Sequence, residues 1–192
     1  VQGDAMTLDL PALFAEHFAG MPVVVCANLP YYITSPIIMR LLEGPLPIRS
    51  LTVMVQKEAA VRITAAPGTR ECGAISAAVW YYSTPKLLFP VSRGSFLPAP
   101  AVDSAVIRLD LPQELPEDLP PREDFFAVVR AGFGQRRKTM LNSLSAGLRW
   151  EKDATRALLT AAGIAENARA EQVTLEQWKA LTRAYFSMKK SR

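Results

Sequence analysis

The chain has 192 residues, of which 49% are hydrophobic and 21% are charged. This length allows one ordinary domain or a domain with a small appendage, and the composition excludes an intrinsically disordered chain. Cys26 and Cys72 lie far apart and show no CxxC spacing, which argues against a disulfide framework or a zinc cluster and indicates a reducing, cytoplasmic setting. No apolar run is long enough to predict a membrane span, and residues 1–4 do not resemble a signal peptide.

The formal net charge of +4 is unevenly distributed along the chain. Residues 1–121 carry 8 basic and 11 acidic side chains, whereas residues 122–192 carry 14 basic and 7 acidic ones. Such an asymmetry predicts that the C-terminal part meets a polyanion, nucleic acid first of all. The alternative from charge alone is a solvated, basic helical surface.

Short apolar runs alternate with helical patterns in the first part of the chain. The predicted strands are 21–27, 51–55, 86–91 and 105–111, and the predicted helices are 36–43, 57–65 and 73–82. The first strand is almost entirely apolar, as expected of a strand covered on both faces. Ser35 and Pro36 predict a helix start, with the serine as N-cap. This order predicts an α/β sheet that is parallel except for an antiparallel final strand.

A proline-rich, acidic stretch follows the last predicted strand and reads as a linker, because closely spaced prolines forbid a helix interior. We therefore predict three parts: an α/β domain over 1–111, a linker over 112–121 and a basic helical domain over 122–192. Helical patterns cover 124–144, 154–162 and 175–188 in the last part.

Asn28, Leu29, Pro30 and Tyr31 directly follow the first predicted strand. Ligands of open α/β sheets bind at the carboxyl ends of the strands. The Asn28 amide oxygen and the Leu29 carbonyl can each accept a hydrogen from an adenine N6 amine, Pro30 restricts Leu29 to extended conformations, and Tyr31 offers a face for stacking. These residue types predict a loop that positions the amine of a flat base for attack on an electrophile.

Four segments in this order resemble the ribosomal RNA adenine N6-dimethyltransferase family, KsgA type, of which the Erm resistance methyltransferases are cousins. The segments are GDAM at 3–6, NLPYYITSP at 28–36, FLPAPAVDSAV at 96–106 and FGQRRKTMLNS at 133–143. The resemblance covers nearly the whole chain. It implies a Rossmann-like class I methyltransferase sheet with a small all-helical C-terminal domain.

The resemblance also assigns roles to individual residues. Asp4 would bind the adenine of S-adenosylmethionine, and Asn28 would contact both this cofactor and the target amine. Leu29 and Pro30 would shape the catalytic loop, while Tyr31 and Phe96 would sandwich a flipped adenosine. Arg136, Arg137 and Lys138 would face RNA. Without the resemblance, Asp4 reads as the cap of a helix over 5–13, Phe96 as a core residue and the three basic residues as a solvated face.

The activity that the resemblance implies is dimethylation of two adjacent adenosines near the 3′ end of small-subunit rRNA, during ribosome biogenesis and on an immature 30S particle. No metal is implied, and His17 has no partner motif that would indicate one. Two alternatives are a non-catalytic rRNA-binding assembly factor and an Erm-like enzyme that acts on large-subunit rRNA. The QRRK sequence at 135–138 argues against the second.

One part of the family pattern is absent from the sequence. The family begins with a strand, a Gly-rich loop and a second strand that ends in an acidic residue. In residues 1–20 of this chain the only glycines are Gly3 and Gly20, which do not form such a loop. We therefore expect an incomplete sheet, truncated on its N-terminal side. This chain alone should bind S-adenosylmethionine weakly or not at all, and it should not methylate RNA. Tight, stoichiometric binding of the cofactor in calorimetry would contradict this prediction. The first strand would be an exposed apolar edge, at which two copies could dimerise.

Overall fold

The structure is a computed structural model and describes residues 1–114, 119–135 and 137–190. It divides into two compact units. Unit 1 comprises residues Val1–Thr64 and Val79–Glu114, and unit 2 comprises Ala65–Ala78 and Leu115–Arg192. The predicted linker over 112–121 lies partly outside the described residues, because nothing is described between 114 and 119. The predicted domain bounds stay a prediction.

Unit 1 is built on a mixed sheet. In the described residues the sheet has four strands, in the order β1-β2-β4-β3. The strands are β1 (Val23–Asn28), β2 (Ile48–Gln56), β3 (Thr84–Val91) and β4 (Ser104–Asp110). β1 is parallel to β2, whereas β4 is antiparallel to both β2 and β3. The predicted mixed sheet, parallel but for its final strand, is confirmed.

The core of unit 1 lies along β2 and β4. Leu51, Val55 and Ile107 are completely buried there, because both strands have a neighbour on each side. β1 differs: within the described residues it pairs with β2 alone, and Val24 is 69% exposed. The expectation that this strand is covered on both faces is therefore wrong. Association of two copies through this edge stays a prediction.

Three helices belong entirely to unit 1, and a fourth has residues in both units. They are α1 (Leu10–Phe18), α2 (Thr34–Glu43), α3 (Lys57–Thr64) and α4 (Ala74–Tyr82). α1 begins after Asp9, whose carboxylate accepts a hydrogen bond of 3.0 Å from the Ala12 amide. α3 packs on β2, β3 and β4 and buries Ala60 and Ile63. α3 begins directly after the last residue of β2. The carboxyl end of β2 is therefore fixed both by the sheet and by the packing of α3.

Unit 2 is helical in its described residues. Its further helices are α5 (Arg122–Phe133), α6 (Met140–Leu148), α7 (Lys152–Ala161) and α8 (Leu175–Lys190). The helical pattern predicted over 124–144 is divided, because the chain turns after Phe133 and is extended at Thr139. The core forms around Phe125, Leu144 and Trp178, whose side chains are completely buried.

Residues 65–78 belong to unit 2, although they precede the last two strands in the sequence. Gly68 has a φ of +97°, and a Cβ there would lie 3.3 Å from Thr174 Cγ2. A glycine therefore suits this position both sterically and conformationally. This long-range packing has no periodic signal in the sequence, which explains why the pattern alone does not indicate it.

Asp110 at the end of β4 accepts hydrogen bonds from Arg108 Nε at 2.6 Å and from Lys86 Nζ at 3.2 Å. The Arg108 bond, supported by Lys86, lowers the pKa of Asp110. A lowered pKa stabilises the folded state above the ordinary value of about 4, and this contribution disappears as the pH falls through the lowered value. Asp110→Asn should therefore flatten the acid side of the stability profile. Urea unfolding at pH 6 and pH 3 measures this, and an equal loss of stability in both proteins would contradict it.

Candidate active site

The Asn28–Tyr31 loop begins where β1 ends. Asn28 is the last residue of β1 and lies in register with Met54 of β2. The Leu29 amide donates a hydrogen bond of 3.1 Å to the Met54 carbonyl, and the Leu29 side chain is buried. The neighbouring Asn28 side chain is exposed. Leu29 thus fixes the loop to the sheet while Asn28 stays accessible.

A single helical turn over Tyr31–Ile33 connects this loop to α2. The Thr34 hydroxyl donates to the Pro30 carbonyl at 3.1 Å, and the Ile33 amide donates to the same oxygen at 3.2 Å. Because the backbone is already helical at Thr34, Ser35 lies inside α2 and the prediction that it is the N-cap is wrong. These bonds determine the direction in which the chain leaves Pro30.

A cleft of about 390 Å³ opens beside the loop, within the size range of small-ligand sites. Two segments line the cleft: all four residues from Asn28 to Tyr31, and Phe96, Pro98 and Pro100 from the segment before β4. The structure thus brings the predicted loop and the predicted stacking residue Phe96 together. Both Tyr31 and Phe96 are half-buried, so each ring has an accessible part.

Ser104 is a further residue of this region, and the sequence reasoning missed it. Its Oγ lies 2.6 Å from the Tyr31 hydroxyl oxygen, and the serine is completely buried. Ser104 is the last residue of the FLPAPAVDS stretch that includes Phe96. Its position in that motif was the available signal, but nothing local to either residue indicates the contact.

Asp4 does not line the cleft. Its carboxylate accepts a hydrogen bond of 2.8 Å from the Met6 amide, and its backbone carbonyl accepts from Thr7 and Leu8, each at 3.0 Å. The alternative of a helix over 5–13 is wrong, because α1 begins only at Leu10 and is capped by Asp9. Asp4 instead forms an exposed turn of the type that aspartate favours.

Arg137 and Lys138 are exposed in the turn between α5 and α6, where the Lys138 amide donates to the Gln135 carbonyl at 2.9 Å. Arg136 lies outside the described residues. His17 is in the last turn of α1. Across the described ranges, no group of three or more histidine, cysteine or acidic side chains is placed to hold a metal ion. None of the helices in these ranges has the length and hydrophobicity needed to cross a membrane.

The family model described as "Ribosomal RNA adenine dimethylase" matches residues 1–186. The chain belongs to this family. It is 50% identical over 183 residues to ribosomal RNA small subunit methyltransferase A of Alkaliphilus oremlandii, which covers 94% of the chain and 63% of that protein. The protein of the same name from Alkaliphilus metalliredigens is 48% identical over 185 residues, and the match covers 95% of the chain and 64% of that protein. The chain therefore spans less than two thirds of these relatives.

Two solved structures of the family's wider group have the same fold. A dimethyladenosine transferase from Plasmodium falciparum matches with a TM-score of 0.74 at 23% identity, over 97% of this chain and 72% of that one. The 23S rRNA methyltransferase ErmE matches with a TM-score of 0.66 at 27% identity, over 96% and 70%. The predicted Rossmann-like methyltransferase architecture with a helical C-terminal region is confirmed.

Proposed function

We propose that the whole protein transfers methyl groups from S-adenosylmethionine to the N6 atoms of two adjacent adenosines near the 3′ end of small-subunit rRNA, during ribosome biogenesis. The observation that carries the proposal is the cleft that the Asn28–Tyr31 loop lines together with Phe96. The names of the two Alkaliphilus relatives support the small subunit as the source of the substrate. A ribosomal substrate also puts the activity in the cytoplasm.

In this mechanism the loop positions the target amine. The Asn28 amide oxygen and the Leu29 carbonyl accept the two N6 hydrogens, while Tyr31 and Phe96 stack on the two faces of the flipped base. With its hydrogens engaged, the N6 lone pair is less delocalised into the ring and points at the electrophile. Positioning of this kind supplies rate enhancement without a general base of matched pKa.

The cofactor supplies an electrophilic methyl group on a sulfonium. Asn28 and Leu29 would hold the N6 lone pair towards this methyl group, and the proton that N6 releases on methyl transfer would leave to solvent. The exposed Asp4 carboxylate and Asn28 amide have the right chemistry for the cofactor, because both accept hydrogen bonds from amino groups. Asp4 would hold the adenine part, and Asn28 the part nearest the target amine. These acceptor groups fit the cofactor, and the affinity of the chain by itself for S-adenosylmethionine stays a prediction.

RNA docking in this proposal uses the basic turn between α5 and α6, to which the sequence also assigns Arg136. Arg137 and Lys138 are exposed there, and the charge excess of residues 122–192 supports a polyanionic partner. The partner that these features fit is immature small-subunit rRNA within a 30S particle.

Arg137→Ala should weaken binding to a small-subunit rRNA 3′-end fragment and reduce the slope of log affinity against log salt by about one, because one phosphate contact is lost. Fluorescence anisotropy across a salt series measures both effects. Arg156→Ala is the control, since the Arg156 guanidinium is 2.7 Å from both Glu166 and Asp153 and is neutralised locally. An unchanged salt slope in Arg137→Ala would remove this residue from the RNA surface.

The activity is best tested in a chimera, in which these 192 residues replace their matching segment in the Alkaliphilus oremlandii relative. The chimera is incubated with methyl-labelled cofactor and either immature 30S or 50S particles. Label on 30S rRNA is expected. Label on 50S rRNA would instead favour the Erm-like alternative, which the structural similarity to ErmE supports. Binding without label would favour a non-catalytic assembly factor.

A further inference from the structure

The hydrogen bond between Tyr31 and Ser104 connects the two segments that line the cleft. The two oxygens are 2.6 Å apart, near the short end of the range for hydroxyl pairs, and the residues are 73 positions apart in the sequence. Tyr31 belongs to the catalytic loop, whereas Ser104 ends the segment that supplies Phe96, Pro98 and Pro100. This hydrogen bond therefore links the catalytic loop to the segment that supplies the rest of the lining of the cleft.

Ser104 is a rigid anchor because of its place in the sheet. It is the first residue of β4, which lies between β2 and β3, and it pairs with Gln56 on one side and Val91 on the other. Next to it, the Lys57 amide donates to the Asp103 carbonyl at 3.0 Å. The backbone that carries the serine is thus held from both neighbouring strands.

Tyr31 itself is held less firmly. It lies in the short helical turn between β1 and α2, outside any strand, and its side chain is half-buried. A tyrosine side chain has two rotatable angles. A hydrogen bond to the hydroxyl restrains χ1 directly, because it fixes the far end of the ring axis. It favours one plane of the ring through χ2, because a phenol hydroxyl makes its hydrogen bonds preferentially within the plane of the ring. With its hydroxyl on Ser104, the axis of the Tyr31 ring is fixed in the lining of the cleft and one plane of the ring is favoured.

We propose that Ser104 is a positioning residue, which holds the Tyr31 ring in the orientation that stacks on the target base. It acts through Tyr31 and does not touch the base itself. The inference rests on the proposed function, because the base that stacks is the target adenosine. It predicts that the loss of either hydroxyl weakens stacking and leaves the grip on the RNA backbone unchanged.

The test uses the 192-residue chain and a short single-stranded RNA with two adjacent adenosines, one of them replaced by 2-aminopurine. Quenching of 2-aminopurine fluorescence reports stacking in the cleft, and anisotropy of the same RNA reports overall affinity. 2-Aminopurine lacks the N6 amine, so the signal does not depend on methyl transfer. Ser104→Ala should reduce the stacked fraction relative to the unstacked one about threefold to tenfold. The overall affinity should fall by no more than the same factor, and its dependence on salt should be unchanged, because the phosphate contacts are kept.

Tyr31→Phe removes the same hydrogen bond from its other end and leaves the buried serine in place. It should cause the same loss as Ser104→Ala, and the double variant should show no further loss, because the two hydroxyls act as one unit. Ser50→Ala is the matched control. Ser50 is also a buried serine of the sheet, and it lies near the start of β2, whereas Ser104 pairs with Gln56 at the end of β2. It should leave quenching unchanged. Circular dichroism verifies that each variant is folded.

The outcomes separate this inference from the proposed function. Normal quenching in Tyr31→Phe overturns the inference, and so does an additive loss in the double variant, because Ser104 would then act independently of Tyr31. Absence of quenching with the unsubstituted chain refutes the base site and with it both proposals. The predicted quenching pattern, combined with no methyl transfer by the chimera, supports the inference and refutes the activity.

Discussion

Asn28→Ala in the chimera is expected to reduce kcat for methyl transfer to 30S rRNA about 10²–10³-fold, the usual cost of removing one positioned group at a reacting centre. Asn28 is exposed at the end of β1, in the wall of the cleft, while the neighbouring Leu29 fixes the backbone. Truncation of the amide therefore removes an acceptor for the N6 amine and leaves the loop in place. Single-turnover transfer of labelled methyl measures the chemical step.

The RNA affinity of Asn28→Ala should be near that of the unsubstituted protein, because phosphate contacts dominate RNA affinity. Asn167→Ala is a matched control: Asn167 is an exposed asparagine of unit 2, away from the catalytic loop in sequence, and its loss should leave both kcat and affinity unchanged. A kcat for Asn28→Ala within a few fold of normal would refute the amine-positioning mechanism.

Gly147→Ala is expected to lower the free energy of unfolding of unit 2 by about 1–3 kcal/mol, the usual cost of an overpacked contact. A Cβ at Gly147 in α6 would lie 2.6 Å from both Cα and Cβ of Ala131 in α5. Carbon atoms prefer a separation of about 3.5–4.0 Å, so the two helices would have to move apart. Backbone atoms cannot rotate away as a flexible side chain can. Urea unfolding followed by tryptophan fluorescence measures the change.

Helix propensity predicts the opposite sign for this substitution, because alanine is the better helix former by about 1 kcal/mol. Ala146→Gly provides the comparison, since Ala146 is the exposed neighbour in the same helix and its loss measures the propensity term alone. The steric cost is the loss of stability in Gly147→Ala plus the loss in Ala146→Gly, because the gain in helix propensity offsets part of the steric loss. An increase in stability in Gly147→Ala would mean that the two helices are not in close contact.

Local patterns predicted the identity of most elements but not the environment of each one. The apolar run of β1 was a reliable strand signal, yet it could not reveal how many neighbours the strand has, and Val24 is exposed. The Ser35-Pro36 signal was correct about the presence of a helix. It missed the start, because the Thr34 hydroxyl bonds back to Pro30 and the preceding turn is already helical.

The candidate site could be predicted in part for a related reason. The loop at Asn28 directly follows a strand, and the general geometry of α/β sheets places such a loop at a ligand site. Phe96 came from the family resemblance alone, and the structure places it in the lining of the same cleft as the loop. The partnership of Tyr31 with Ser104 depends on how the sheet is ordered, and residues 73 apart carry no local trace of it.

The strand order has a consequence for synthesis of the chain. β4 is the last strand of the sheet to be made, yet it inserts between β2 and β3. A nascent chain that ends before residue 104 thus has two unjoined halves, and neither the anchor for Tyr31 nor the second hydrogen-bonded neighbour of β2 exists. The complete lining of the pocket and its link through Ser104 therefore require a chain that extends through β4.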